Sequence, residues 1–351
     1  MFRGLQEGYK RAMNFERYSR QIRYRNMGRG GQEKLLSAKV AVVGMGALGC
    51  VSSNELARAG IGYLRIIDRD LVEYSNLQRQ VLYTEADAER SDPKVFAAAE
   101  ALAAANSEIT IEPKFSDLNA SNAEELLGGC DLIVDATDNF EARYLINEYC
   151  VEHGIPWVYG GAVGSEGMTA AFLPGGPCLT CFTGSEGTEG QKPGITCSTA
   201  GILNSLTAVV ASLQVTEALK ILTGSPEVRK DMLFIELWEN EFIPLPLDKN
   251  PDCPVCAKRR YKYLGKTAGT KAVSVCGKNA YQIIPANAAK PDLEEMRDRL
   301  SELGTVTMRA FFLEFTSPEA SFKLFKDGRA IISNVDTEGK AKSIYSEFIG
   351  L

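Results

Sequence analysis

The sequence predicts a protein of the α/β class, one large unit followed by a small α+β module. Strand-like and helix-like patterns alternate from residue 39 to residue 137, the pattern of a parallel sheet with crossover helices. A chain of 351 residues is too long for one small core. The apolar periodicity also breaks at 265–270, where Lys, Gly, Thr and Ala take over. The expected division is 15–262 and 271–351.

Residues 15–36 carry a helical pattern rich in Arg and Gln, and 39–43 read as a short buried strand ending in a glycine-rich turn. A helix over 52–59, a strand over 63–68, an Ala-rich helix over 94–106 and strands over 109–113 and 131–137 follow. The Pro- and Gly-rich tract 174–194 predicts a long loop, and loops of that length are functional or disordered. The apolar stretch 202–222 contains Asn204, Gln214, Glu217 and Lys220, each costly at a bilayer centre, so a buried helix is expected. A strand is expected over 233–238. The C-terminal module is expected to hold strands near 281–284, 305–315, 321–325 and 330–333, with helices near 293–303 and 341–348. No internal repeat is visible.

Hydrophobic content of 45% suits a packed fold, and a formal charge of -6 argues against a broad nucleic-acid surface. The basic run 258–262 is short and suits a solvated linker. Residues 1–15 lack the apolar core of a signal peptide, so a cytoplasmic location is expected. There the nine cysteines are not expected to form a disulfide framework, which leaves metal binding or thiol chemistry.

Gly44-Met45-Gly46-Ala47-Leu48-Gly49 is a G-x-G-x-x-G sequence directly after a strand and before a helix. Its glycines let backbone approach a nucleotide, and the helix N-terminus offers N–H groups and a positive dipole. Asp68 follows Gly49 by 19 residues, at the end of the next strand, where an acid can accept from ribose hydroxyls. Ser75-Asn76-Leu77-Gln78-Arg79-Gln80 and Asp92-Pro93-Lys94 then place cations where a dehydrogenase needs none and a triphosphate does. Residues 131–139 end another strand with carboxylates at its C-terminal edge. Asp138 there either holds Mg²⁺ against phosphates or caps the following helix.

The run Arg17-Tyr18-Ser19-Arg20-Gln21, the glycine loop, Asp68-Arg69-Asp70, the S-N-L-Q-R-Q segment, Lys94 and the T-D-N piece at 137–139 together resemble the ThiF/MoeB/HesA family, related to ubiquitin-activating enzymes. The resemblance covers about residues 15–260. It implies a Rossmann-like mixed sheet with flanking helices, ATP as cofactor, and adenylation of the C-terminal Gly carboxylate of a ubiquitin-like sulfur-carrier protein ending in Gly-Gly. It further implies Gly44, Gly46, Gly49, Asp68 and Asp70 around the nucleotide, with Asp68 on the ribose. Asn76, Arg79 and Lys94 would lie on the triphosphate, with Asp138 on Mg²⁺. Arg20 is implied to reach the γ-phosphate region of the neighbouring subunit of a homodimer; without the resemblance it is an ordinary exposed helix residue. A sulfur donor such as a cysteine desulfurase is a further implied partner, and thiamin or molybdopterin synthesis are among the pathways such a carrier feeds.

The single histidine, His153, precedes Gly154 at an expected helix end and reads as structural. Adenylation tolerates that scarcity: a C-terminal carboxylate, with a pKa of about 3.5, is ionised at neutral pH and needs no base. It needs cations and Mg²⁺ aimed at the leaving pyrophosphate. Cys178-x-x-Cys181 and Cys253-x-x-Cys256 can form a closed four-thiolate zinc site, provided the fold spans the 71 residues between them. A redox pair or free thiols are the alternatives. Cys197 looks like the family's loop cysteine, either a nucleophile for the activated carrier or a packing residue. Cys276 opens the C-terminal module, while Cys50, Cys130 and Cys150 read as core. The rivals to this function are adenylation of a tRNA, a non-catalytic scaffold in ubiquitin-like conjugation, and a nicotinamide-dependent oxidoreductase.

Overall fold

The structure is a computed structural model that describes residues 15–184, 201–265, 269–274, 279–285 and 290–350. Cys197 and Cys276 lie outside the described residues.

Strands β1 (Lys39–Val43), β2 (Tyr63–Asp68), β3 (Thr110–Phe115), β4 (Leu132–Asp135) and β5 (Trp157–Val163) pair in parallel. Strands β6 (Glu166–Phe172), β7 (Met232–Glu236) and β8 (Glu241–Leu245) continue the sheet antiparallel, giving the order β3-β2-β1-β4-β5-β6-β7-β8. The fold is therefore a mixed sheet, as the family resemblance implies, where strand–helix alternation alone predicts a parallel one. β1 and β4 are buried along almost their whole length, which is why they read as continuous apolar runs. On one face, helices Ala47–Ala59 and Asn204–Thr223 pack on each other and enclose Leu56, Ile66, Leu206 and Val210. Helix Phe140–His153 covers the other with Tyr144, Ile146 and Tyr149. Asn204–Thr223 is long and apolar enough to cross a membrane by composition. Its contacts with β5 and β6 make it a core helix.

Several elements differ from the sequence expectation. The 15–36 pattern is two helices, Ser19–Ile22 and Gly28–Ser37. The helix after the glycine loop starts at Ala47, because the second half of the motif forms its first turn. The single strand expected over 305–315 is a hairpin of two, Thr305–Met308 and Phe312–Thr316, and no Gly or Pro marks the turn.

The second sheet runs from residue 271. Strands β9 (Lys271–Ser274), β10 (Ala280–Ile284), β11 (Thr305–Met308), β12 (Phe312–Thr316), β13 (Ser321–Phe325) and β14 (Ala330–Ser333) lie in the order β11-β12-β13-β14-β10-β9, every pair antiparallel. Helices Leu293–Ser301 and Glu338–Ile344 pack on one face of it.

Candidate nucleotide and metal sites

Strand order reverses between β1 and β4, and in an open α/β sheet the crevice beyond the strands' carboxyl ends lies at that reversal. The glycine loop leaves β1, Asp68 ends β2, Asn76, Arg79 and Lys94 follow β2, and Asp138 follows β4.

The three glycines differ. Gly44 has φ +91°, and a Cβ on it would lie 2.6 Å from the Ala136 carbonyl oxygen; a Cβ on Gly49 would lie 1.8 Å from the Gly44 carbonyl. Both are required by close backbone approach. At Gly46 an added Cβ would meet only Gln80 Nε2, at 3.9 Å. Gly46 is the N-cap of helix Ala47–Ala59 and no side chain caps that end, so its first N–H groups and positive pole suit an anion.

Asp68 accepts the Met45 N–H at 2.6 Å with one oxygen and the Asp70 N–H at 2.7 Å with the other. It thus fastens the glycine loop, and burial raises its pKa against the pull of Lys94. Lys94 is 6% exposed and donates to Asp70 at 3.0 Å. Burial disfavours the ammonium, but Asp70 and Asp68 outweigh it and hold the Lys94 proton more tightly than usual. Burial likewise opposes ionisation of Asp70, yet Lys94 and Arg69 keep its carboxyl below the ordinary range. Arg69 in turn pairs with Asp117 at 2.7 Å. Arg79 is half-buried and donates to the Ser75 carbonyl at 3.0 Å, just beyond the turn carrying Asn76.

Asp138 is exposed and is not the helix cap: Asn139 takes that role, accepting the Ala142 N–H at 2.8 Å. Its charge acts on Lys94 and Arg69, so the fold brings these groups into one neighbourhood. Arg20 is not brought there. It is exposed on helix Ser19–Ile22, whose neighbours Tyr18 and Gln21 bond to Asn106 and the Ala59 carbonyl, at the far end of Ala47–Ala59. That 13-residue helix is about 20 Å long, which separates Arg20 from its own glycine loop.

Sequence reasoning missed a buried pair beneath Asp138. Asp135 accepts the Thr137 N–H at 2.9 Å and hydroxyl at 2.7 Å, and its other oxygen lies 3.5 Å from Arg143 Nε. Arg143 Nη2 donates to the Thr137 carbonyl at 2.7 Å. The pair fixes the turn that carries Asp138, and burial raises the Asp135 pKa. Only the D-x-T-D spacing hinted at it, because the partner arginine lies in the next helix.

The four cysteines meet. Sγ of Cys178 lies 3.6 Å from that of Cys253, Cys181 lies 3.4 Å from Cys256, and all four sulfurs lie within 4.8 Å of one another. Tetrahedral zinc with Zn–S bonds of about 2.3 Å requires S···S separations of about 3.8 Å, which this cluster fits. Among the described cysteines none is in a disulfide. The Asn250 N–H donates to Cys181 Sγ at 3.4 Å, a contact that stabilises a thiolate. Burial pushes the Cys178 thiol up to about 11, so uncompensated thiolates would be costly here and a cation would relieve them. His153, at its expected helix end, stacks on Tyr149 at 4.1 Å between ring centroids. Cys50, Cys130 and Cys150 are buried. A concavity of about 680 Å³ bounded by Lys34, Asp131, Pro156 and Leu222 lies at the opposite edge of the sheet and holds none of the expected site residues.

A glycine loop at the switch point of a mixed α/β sheet, with Asp68, the Asp70–Lys94 pair and Asp138 gathered beside it, defines a nucleotide-binding enzyme fold. The family model described as the ThiF family matches residues 18–255, and the chain belongs to that family. It is an adenylyltransferase using ATP. The sulfur carrier protein ThiS adenylyltransferase of Bacillus subtilis is 40% identical over 338 residues, covering 95% of this chain and 99% of the relative. The molybdopterin-synthase adenylyltransferase of Salmonella typhimurium is 38% identical over 246 residues, covering 69% of this chain and 96% of the relative. Among solved structures, E. coli MccB with ATP is 27% identical with a TM-score of 0.60, covering 69% of this chain and 75% of that one.

Proposed function

We propose that this chain adenylates the C-terminal glycine carboxylate of a ubiquitin-like sulfur-carrier protein, releasing pyrophosphate, so that a sulfur donor can convert the terminus to a thiocarboxylate. The observation that carries the proposal is the joint placement of the glycine loop, Asp68, the Asp70–Lys94 pair and exposed Asp138 beyond one sheet edge. The likeness over 95% of the chain to an enzyme named for ThiS supports a carrier of that kind.

Mg-ATP, when bound, supplies an electrophilic α-phosphorus and a pyrophosphate leaving group. Asp68 and Asp70 face the ribose side, Asp68 holding the glycine loop closed against β2 through the Met45 N–H. Asp138 would hold the Mg²⁺, Asn76 would donate a hydrogen bond to the phosphates, and Arg79 and Lys94 would offset their charge. The incoming carboxylate is already ionised, so its oxygen forms the bond to phosphorus with no proton to move. Stabilisation of the departing charge by fixed cations is then the main contribution of the site. Arg20 completes it from a second subunit, because it lies at the far end of helix Ala47–Ala59 from its own glycine loop; the working form is a homodimer. Zn²⁺ in the four-cysteine cluster is structural. Cys197 takes the activated carrier covalently: its thiolate forms a thioester as AMP leaves. The reduced cluster suits a cytoplasmic site of action.

Arg79→Ala and Asp138→Ala should each abolish carrier-dependent ATP:pyrophosphate exchange while thermal midpoints stay near wild type, since neither side chain is buried. Near-wild-type exchange in both would refute the assignment. A carrier adduct surviving Cys197→Ser would remove that residue from it.

A further inference from the structure

The β9–β14 sheet has two faces, and its own helices cover only one. Ile283, Leu313, Phe315, Leu324 and Ile332 turn towards helices Leu293–Ser301 and Glu338–Ile344. On the other face, Phe312 and Phe325 cluster with Leu71 and Phe115 of the large sheet's segments. Phe311 stacks on Phe96 at 4.9 Å, and Lys271 pairs with Glu141 at 2.9 Å. These partners follow β2, end β3 and follow β4, which is the edge where the nucleotide groups gather.

Arg329, in the turn between β13 and β14, is 3% exposed at this junction. Its Nη1 donates to the Arg69 carbonyl at 3.0 Å, and its Nη2 to the Phe115 carbonyl at 3.4 Å. Asp327 accepts from its Nε at 2.5 Å, and its guanidinium lies 4.4 Å from the Phe115 ring centroid. Arg69 stands between Asp68 and Asp70, and Asp68 accepts the glycine loop's Met45 N–H. A planar fork held by Asp327 and an aromatic ring is a rigid donor, suited to fixing backbone.

We propose that Arg329 is a positioning residue of the adenylation site: by holding the Arg69 carbonyl it sets the loop of Asp68 and Asp70, and so makes the C-terminal module part of the nucleotide-binding apparatus. The proposal rests on the reading of those carboxylates as nucleotide ligands. Its charge also acts on Asp70, adding to Lys94 and Arg69 against the effect of burial. Nothing in this role touches the carrier, so the effect belongs to ATP alone.

The test uses the full-length protein, with AMPCPP titrated calorimetrically and pyrophosphate exchange measured against ATP and carrier. Arg329→Met should raise the AMPCPP dissociation constant and the KM for ATP about tenfold, Arg329→Lys should recover part of this, and the carrier KM should stay within about twofold. Phe348→Leu, in the module's own core against Phe315 and Phe322, should lower the thermal midpoint and leave ATP affinity unchanged. Folded Arg329→Met with wild-type ATP affinity would overturn the proposal. So would a Phe348→Leu protein that loses ATP affinity to the same degree, since the effect would then be general loosening. If Arg329→Met does not fold, Arg329→Lys decides: an unchanged KM for ATP overturns the proposal. Wild-type protein that binds AMPCPP but shows no carrier-dependent exchange would instead refute the functional reading.

Discussion

Gly44, Gly46 and Gly49 share a motif and answer to different constraints. A methyl group at Gly49 would collide with backbone at 1.8 Å, whereas at Gly46 it would enter space with nothing nearer than 3.9 Å. Gly49→Ala should therefore lower the thermal midpoint sharply or prevent folding. Gly46→Ala should fold normally and weaken nucleotide binding, because the methyl projects in front of the helix N-terminus. Calorimetric titration and a melting curve on the two variants separate these outcomes; equal loss of stability in both would contradict them. At this scale the sequence was legible in position: Asp68 ends β2 and Lys94 opens a helix, as their offsets predict. It was silent on Asp135 and Arg143, whose pairing spans a strand end and the next helix and has no local signature.

Among elements, two clasps join segments distant in sequence. The four-cysteine cluster ties the loop after β6 to the segment after β8. Beyond it, the Lys262, Tyr263 and Leu264 N–H groups all donate to Glu148 of helix Phe140–His153, at 2.9, 2.7 and 2.8 Å. Purified protein should contain zinc in proportion to chain, and Cys253→Ser should lose the metal and much of its stability, since a structural site contributes on the order of 10 kcal/mol. Zinc-free protein with an unchanged melting curve would argue against the cluster as a staple. The spacing of the C-x-x-C pairs was visible in the sequence; their meeting depends on β6, β7 and β8 lying side by side.

The β2–β3 pairing carries a pH-dependent contribution. Glu112 stands opposite Arg65 and accepts from it at 2.6 Å, with Tyr63 and Lys114 also donating. Burial opposes its charge, but these donors outweigh it and hold the carboxyl at about 2, below its ordinary 4.5. A carboxyl depressed on folding stabilises the protein above its unfolded pKa and loses that contribution as pH falls through the folded one. The gap in melting midpoint between wild type and Glu112→Gln should therefore be open at neutral pH and close as pH falls from 4.5 to about 2. A gap independent of pH would contradict it.

For the whole molecule, the alternation of strands and helices was enough to foresee the parallel half of the large sheet. The antiparallel half was harder, because the Gly164-Ser165 turn between β5 and β6 is masked by Gly160, Gly161 and Gly167 inside the strands themselves, and β8 is an exposed edge strand with little apolar alternation. The docking of the β9–β14 sheet onto the nucleotide edge could not be read at all, since it depends on tertiary contacts such as Phe311 on Phe96. One histidine in 351 residues suits a reaction that leaves no proton to be removed from the nucleophile. The measurement that tests this most directly is ATP:pyrophosphate exchange by the purified protein with a small carrier ending in Gly-Gly, and with the same carrier lacking its terminal glycine. Exchange with the intact carrier alone, abolished by Asp138→Ala, is predicted; exchange that ignores the carrier's terminus would contradict carboxylate adenylation.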